Sequence, residues 1–373
     1  MGNGALAKGQ ATAPILDSTV AVLGFADWRL TIRYVAIRFC TGKDHMPIGR
    51  MKRRGFIAII AAVAAWPLTG HAQSATTSSH VVLLSAAANP AERLDAFRQQ
   101  LNDLSYVEGR NITLDIRSAE GRLERLPALA EELVRQSGID AILAESTPAA
   151  IAAHQATQTI PIIAMVGVDP VATGLASSLA HPGGNVTGIA IFADEANPKR
   201  VELLHELAPR AVRVAAVMAI SGGGTLNIDS ARETGRKLGL AIETIVVDPD
   251  RLPEALRPSV IAGFDAFVFV PDVVLTSRRN EVIRLIAPTK KPAIFAGRNW
   301  VDGGGLMSYG PDLGDASRRW ALQLVRVLKG EKPKDLPFER PTKFDLRINL
   351  RTARAMGIEI PPTLLTRADE VIE

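Results

Sequence analysis

Ala141-Ile-Leu-Ala-Glu-Ser-Thr-Pro-Ala-Ala-Ile-Ala-Ala-His-Gln-Ala-Thr-Gln158, followed by Ile162-Ile-Ala-Met-Val166, carries the pattern on which the fold turns. Four apolar residues run into a polar loop, a helix is expected over Pro148–Gln158, and a second apolar run follows Pro161. Strand, loop, helix and strand in that order make a βαβ unit with parallel strands. Ser146-Thr147-Pro148 sits where strand becomes helix: hydroxyl residues suit a helix cap, and proline is tolerated in a first turn whose N–H groups have no helical partner.

The unit repeats in both directions. Upstream, Val81–Leu84 and Ile112–Ile116 read as strands. The helix Ala91–Leu104 carries apolar residues at 94, 97, 101 and 104, and a second helix is expected over Leu123–Gln136. Downstream of the turn-forming Pro182-Gly-Gly-Asn185, strands are expected at Val212–Ala219, Ala241–Val246, Ala266–Val270 and Ala293–Phe295. They alternate with helices Pro198–Leu207, Asn227–Leu238, Leu252–Ile261 and Thr276–Ala287. A helix Ala316–Leu328 and a last strand and helix between Lys343 and Met356 complete the pattern. The expected fold is α/β, with two Rossmann-like lobes of parallel sheet joined by a hinge. The lobes are expected at 73–189 plus 304–335 and at 190–303 plus 336–373, with crossovers near Thr187–Ala190, Gly297–Gly305 and Lys334–Pro341. Ligands of open parallel sheets sit outside the carboxyl ends of the strands, which directs attention to the cleft between the lobes.

The beginning of the chain reads differently. Lys52-Arg-Arg54 precedes an apolar run too short to span a bilayer, Pro67 ends it, and Gly70-His-Ala72 offers small residues at a cleavage site. Residues 51–72 therefore read as a signal peptide, and residues 1–50 as an upstream extension or a start placed before the true one at Met51. Arg53-Arg54 also fits a twin-arginine signal, so Sec and twin-arginine export both remain open. No cysteine stands at the cleavage site for lipid attachment, and the expected location is periplasmic.

Charge and composition exclude several classes. The chain has 373 residues, 47% hydrophobic and 22% charged, with a formal charge of +4. Of its 43 basic and 39 acidic side chains, nine and three lie in residues 1–72, so the rest carries 34 against 36. A slightly acidic body does not offer the clustered positive charge of a nucleic-acid face. The one cysteine, Cys40, lies before the leader, leaving no disulfide, Cys-ligated zinc or thiol nucleophile beyond it. His80, His154, His181 and His205 lack metal-ligand spacing, and neither Gly-x-Ser-x-Gly nor His-Glu-x-x-His occurs. The expectation is no enzyme, no metal and no cofactor.

The strand-end loops supply the candidate ligand contacts: Ser85, Ser146, Thr147, Asp169, Asp272 and Arg298. Hydroxyls at a helix N-terminus suit a carboxylate or phosphate, and a carboxylate in a dry cleft suits an ammonium. Ser146-Thr147, Asp169 and Asp272 also read as ordinary helix caps. Ser221-Gly-Gly-Gly-Thr225 lacks the nucleotide-binding glycine patterns and reads as a flexible loop at the cleft edge. Trp300 and Tyr309 could line the cleft, whereas Trp320, inside a helix, reads as core.

Phe97-Arg-Gln, Leu104-Ser-Tyr-Val-Glu-Gly-Arg-Asn111, Asp169-Pro-Val, His181-Pro-Gly-Gly-Asn-Val-Thr-Gly188, Lys199-Arg-Val-Glu-Leu-Leu204 and Gly305-Leu-Met-Ser-Tyr-Gly310 occur in an order and spacing that resembles the ABC-transporter substrate-binding proteins of the tryptophan/tyrosine-binding type. The resemblance covers nearly all of 79–362 and departs at Glu145, where many relatives have glycine. It implies a type I periplasmic-binding-protein fold and a monomer that binds a small solute, an amino acid or related carboxylate. That solute would be delivered to an ABC permease of the inner membrane with its ATPase, without catalysis. It also implies that hydroxyls at Ser146-Thr147 hold the ligand carboxylate and acidic residues near Asp169 and Asp272 its amine. The alternative is a periplasmic ligand sensor of the same fold that feeds a signalling partner.

Overall fold

The strands β1 (Ser79–Ser85), β2 (Ile112–Ser118), β3 (Ala141–Ala144), β4 (Ile162–Val166) and β5 (Val186–Ala190) form one sheet in the order β2-β1-β3-β4-β5. Every pairing in it is parallel. The architecture is that of a computed structural model that describes residues 78–90, 94–219 and 228–373, all within one unit spanning 75–373. The leader, Cys40 and the Ser221–Thr225 loop lie outside the described residues. Alternation along β1 divides the core. Val82 and Leu84 join Ile142 and Ala144 under the helices α2 (Leu126–Val134) and α3 (Thr147–Ala156), whereas Val81 and Leu83 join Leu143 beside α1 (Asp95–Asp103). α2 buries Leu126, Ala130 and Leu133, the four- and three-residue steps of one helical face.

The second sheet contains β6 (Arg213–Ala219), β7 (Ala241–Val247), β8 (Ala266–Phe269), β9 (Ala293–Phe295), β10 (Met307–Pro311), β11 (Phe344–Asn349) and β12 (Glu370–Ile372), in the order β12-β11-β10-β9-β8-β6-β7. Only the β10–β11 pair is antiparallel. The run β7-β6-β8-β9-β10 repeats the order of the first sheet, so each sheet reverses its winding beside its own first strand, where a crevice opens. The connections are α4 (Asn197–Leu207), α5 (Asp229–Lys237), α6 (Leu252–Ala255), α7 (Pro258–Ile261), α8 (Val273–Ser277), α9 (Arg279–Ile286), α10 (Arg298–Asp302), α11 (Leu313–Leu328), α12 (Leu350–Met356) and α13 (Pro362–Arg367). The exception to local packing is α11, which returns to the first sheet: Trp320 and Leu324 share a core with Phe97, whose ring lies 5.1 Å from that of Trp320. No helix among the described residues is long and apolar enough to cross a membrane.

Two lobes of mainly parallel sheet agree with the fold expected from the sequence, but several boundaries need correction. Thr187–Ala190, read as a crossover, lies within a fifth strand, Val186–Ala190, so close to β4 that a Cβ on Gly188 would stand 1.8 Å from the Ala164 carbonyl oxygen. The chain does not leave the second lobe at 304. Met307–Pro311 pairs with β9 and β11, with Gly310 pressed against Ala296 so that its Cβ would stand 2.1 Å from the Ala296 carbonyl oxygen. The second crossing falls between β10 and α11. The helix expected over Leu252–Ile261 is broken in two, because Arg257 precedes Pro258 and takes the extended backbone, φ −63° and ψ 150°, that a following proline favours. α8 begins before Thr276, because Asp272 caps it.

The third crossing runs along the first sheet before joining the second. Glu339 N–H donates to Gly188 C=O (2.9 Å), Ala190 N–H donates to Glu339 C=O (2.8 Å), and buried Thr187 Oγ1 donates to Leu336 C=O (2.8 Å).

Candidate functional site

A cavity of about 580 Å³ opens at the carboxyl ends of both sheets, lined by the loops that follow β3, β4, β5, β8, β9 and β10 together with the start of α1 and one face of α11. That volume suits one small organic solute. Its first-lobe wall is built on the β3–α3 junction. Ser146 caps α3 by accepting the Ala149 N–H at 3.2 Å. Thr147, 7% exposed, turns its hydroxyl to the loop after β4, where Oγ1 accepts the Gly167 N–H at 3.0 Å. The hydroxyl hydrogen is left to donate, beside N–H groups of the first helical turn, which is the chemistry that holds an anion.

On the opposite wall, Asp272 is 8% exposed and caps α8, with Oδ1 accepting the Val274 and Leu275 N–H groups at 2.8 Å each. Burial pushes its carboxyl above the ordinary value, while the N–H groups of Leu275, Val274 and Ala219 pull it back. Arg298 lies at the mouth, its Nε 3.6 Å from Asp302 Oδ2. Trp300 forms an aromatic wall stacked on Phe295, with ring centres 4.7 Å apart and planes at 16°. Trp320 is both core and wall: its indole N–H is spent on the Ile163 carbonyl at 2.9 Å, so it offers the cavity apolar surface only.

Of the residues read from the sequence, Ser146, Thr147, Asp272 and Arg298 line this cavity and Ser85 and Asp169 do not. Ser85 is wholly buried and donates to Glu145 Oε2 at 2.7 Å, supporting a residue that lines the cavity. Asp169 accepts the Val171 N–H at 2.8 Å and closes a turn beside the cavity. Tyr309, expected near the cleft, does not line it, whereas Trp300 does.

Glu145 and Ser317 line the cavity and were missed. Glu145 is the neighbour of Ser146-Thr147 in the same strand-end loop, so its position was readable even though its burial was not. The side-chain hydroxyl of Ser317, a residue 6% exposed, has no hydrogen-bond partner among the described residues. It shares the cavity face of α11 with Leu313 and Trp320, a four-then-three spacing visible in the sequence. Among the described residues no group of three His, Cys, Asp or Glu could hold a metal ion.

The cavity rests on a buried cation. Arg200 is wholly buried, donating from Nε to Tyr309 C=O at 2.7 Å and from Nη1 to Ala193 C=O at 3.1 Å and Asn197 Oδ1 at 2.5 Å. Its Nη2 has no partner among the described residues. Burial lowers its pKa to about 9, with Tyr309 and Asp194 acting the other way, so it remains charged at neutral pH.

The chain is similar to a tyrosine-binding protein of Clostridioides difficile (strain R20291), 28% identical over 265 residues that make up 70% of this chain and 76% of that one. It is similar in structure to an ABC domain in complex with L-Trp from Streptococcus pneumoniae, with a TM-score of 0.70 and 27% identity over 79% of this chain and all of that one. The ligand-free, open structure of a substrate binding protein with adhesive properties from Clostridium difficile matches with a TM-score of 0.57 and 25% identity, over 79% of this chain and 99% of that one. The model of the ABC transporter substrate binding protein family matches residues 82–372, and the chain belongs to that family.

Proposed function

We propose that the protein binds an amino acid of the aromatic kind its relatives hold between its two lobes. It closes on the solute and delivers it to an ABC permease with its ATPase, outside the cytoplasm and without chemical change to the solute. The observation that carries this reading is the polarity of the cavity: a hydroxyl donor at the N-terminus of α3 on one wall and the buried carboxylate of Asp272 on the other. A zwitterion presents one group to each, so binding draws the lobes together. The better fit to the L-Trp complex than to the open ligand-free structure, at equal coverage, supports a lobe arrangement near the ligand-holding one.

The test is calorimetric titration and thermal shift of the purified protein with L-tryptophan, L-tyrosine and L-phenylalanine. A ligand at a hundred times its dissociation constant stabilises by about 2.7 kcal/mol. Saturable binding of at least one is expected. Binding of none of them, with a structurally unrelated solute binding instead, overturns the aromatic amino-acid reading.

A further inference from the structure

The three crossings between the lobes are bound to one another in pairs. Arg200, on α4, joins the first crossing to the second by holding Ala193 C=O and Tyr309 C=O. Arg340, on the third, places its guanidinium 4.1 Å over the Phe192 ring on the first and pairs with Glu195. The second and third are joined where Asp312 N–H donates to Lys343 C=O at 2.9 Å and Lys343 Nζ lies 3.4 Å from Asp312 Oδ2.

At the centre of this arrangement Phe192 has φ 47° and ψ 49°, the left-handed region that a bulky residue rarely adopts. Such a conformation persists only where the surroundings over-determine it. The surroundings here are the first-lobe core in which the ring is packed, the Arg340 guanidinium over that ring, and Arg200 on the carbonyl of the next residue, Ala193. The same segment reaches the ligand site. Thr147 Oγ1 accepts from Gly167 N–H at 3.0 Å, Gly167 C=O accepts from Ala193 N–H at 2.8 Å, and Ala193 C=O accepts from Arg200. Thr147, Gly167 and Ala193 all line the cavity. A continuous series of hydrogen bonds thus runs from the hydroxyl that faces the solute, past Phe192, to β10 of the second sheet.

We propose that Phe192 is the residue at which the two lobes turn on one another, and that Arg200 and Arg340 are the positioning residues that hold it in the ligand-holding geometry. This rests on the reading that the lobes close on a solute. A change of backbone dihedrals at one residue, amplified by two rigid sheets, is enough for hinge motion. Loosening either arginine lets Phe192 relax to an ordinary conformation and the second lobe swing. Neither arginine lines the cavity, so their effect on affinity is exerted through lobe geometry.

The experiment measures lobe separation by pulsed electron resonance between spin labels on cysteines placed at exposed Glu132 in α2 and exposed Glu254 in α6, in a Cys40→Ser background. Two variants are compared with the parent. Arg340→Leu alters a side chain 49% exposed, where folding is not at stake. Arg200→Lys keeps the buried charge but replaces the guanidinium fork with one ammonium. The parent is expected to shorten its distance on saturation with L-tryptophan or L-tyrosine. Both variants are expected to broaden the ligand-free distribution and to release either amino acid about tenfold faster, with little change in association rate. Ligand-free distributions identical to the parent's in both variants overturn the proposal. A parent that binds but keeps its distance at saturation overturns the closure reading instead.

Discussion

Thr147 Oγ1 accepts the Gly167 N–H across 3.0 Å, so the hydroxyl meets the cavity with its acceptor role filled and its hydrogen to give. That polarity suits a ligand carboxylate. Thr147→Val removes the donor at nearly constant volume and is expected to weaken binding of L-tryptophan or L-tyrosine by about 1.5–3 kcal/mol, the range for a hydrogen bond to a charged group. Losing the Gly167 bond is expected to lower stability by about 1 kcal/mol, and Thr147→Ser should recover both. Titration with a parallel melting curve checks this; full affinity in the valine variant would falsify the carboxylate assignment.

How much of this was legible before the structure differs between fold and site. Alternating apolar strands and helical spacing revealed two α/β lobes, because burial of one face is written into periodicity. The strands that border the first two crossings were not legible. Gly188 and Gly310 each sit inside a strand, where a carbonyl of β4 (Ala164) or of the residue after β9 (Ala296) leaves no room for a Cβ. At the site, Ser146, Thr147 and Asp272 were readable because a cap and a ligand contact use the same side chains at the same strand ends. The same signal picks out Ser85 and Asp169, which do not line the cavity and whose oxygens serve Glu145 and a turn. Only three-dimensional placement separates the two roles.

Gly310 offers a test of the corrected lobe boundary. With its Cβ position 2.1 Å from the Ala296 carbonyl oxygen, Gly310→Ala must push β10 away from the β9 loop. A loss of about 3 kcal/mol or more is expected by denaturant unfolding. Gly184→Ala, at a position with nothing within 4 Å, is the control and should change stability little. Equal stability of the two variants would mean that β10 does not press on the loop after β9 at Ala296.

Ser317 presents a nearly buried hydroxyl to a wall made otherwise of Leu313 and Trp320. The hydroxyl opens on the cavity and bonds no other side chain, so Ser317→Ala is expected to change the stability of the empty protein by no more than about 1 kcal/mol. On the aromatic reading the hydroxyl meets a polar group on the ligand. The preference for L-tyrosine over L-phenylalanine should then narrow by about fivefold to tenfold in the variant, seen in paired titrations. An unchanged preference assigns that contact to another wall.

Asp272 makes binding depend on pH, and the sign follows from its surroundings. Burial raises its carboxyl above the ordinary 3.8, with the N–H groups of Leu275, Val274 and Ala219 opposing. The folded protein therefore holds this proton more tightly than the unfolded chain. The contribution of Asp272 to the stability of the empty protein falls as pH rises from 3.8 through the raised value. Asp272→Asn keeps a side-chain oxygen for the Val274 and Leu275 N–H groups and removes the charge. At neutral pH the empty variant is expected to match or exceed the parent in melting temperature, with any advantage vanishing in acid, where the parent carboxyl is itself neutral. Ligand affinity runs the other way. An ammonium is held by the ionised form, so the parent should bind an aromatic amino acid progressively less well as pH falls through the raised value. The asparagine variant should bind about tenfold to a hundredfold more weakly at neutral pH and show a flatter profile. Titrations from about pH 8 to about pH 4 decide the matter: parallel profiles for the two proteins would place the amine partner elsewhere, with Glu145 the next carboxylate to replace.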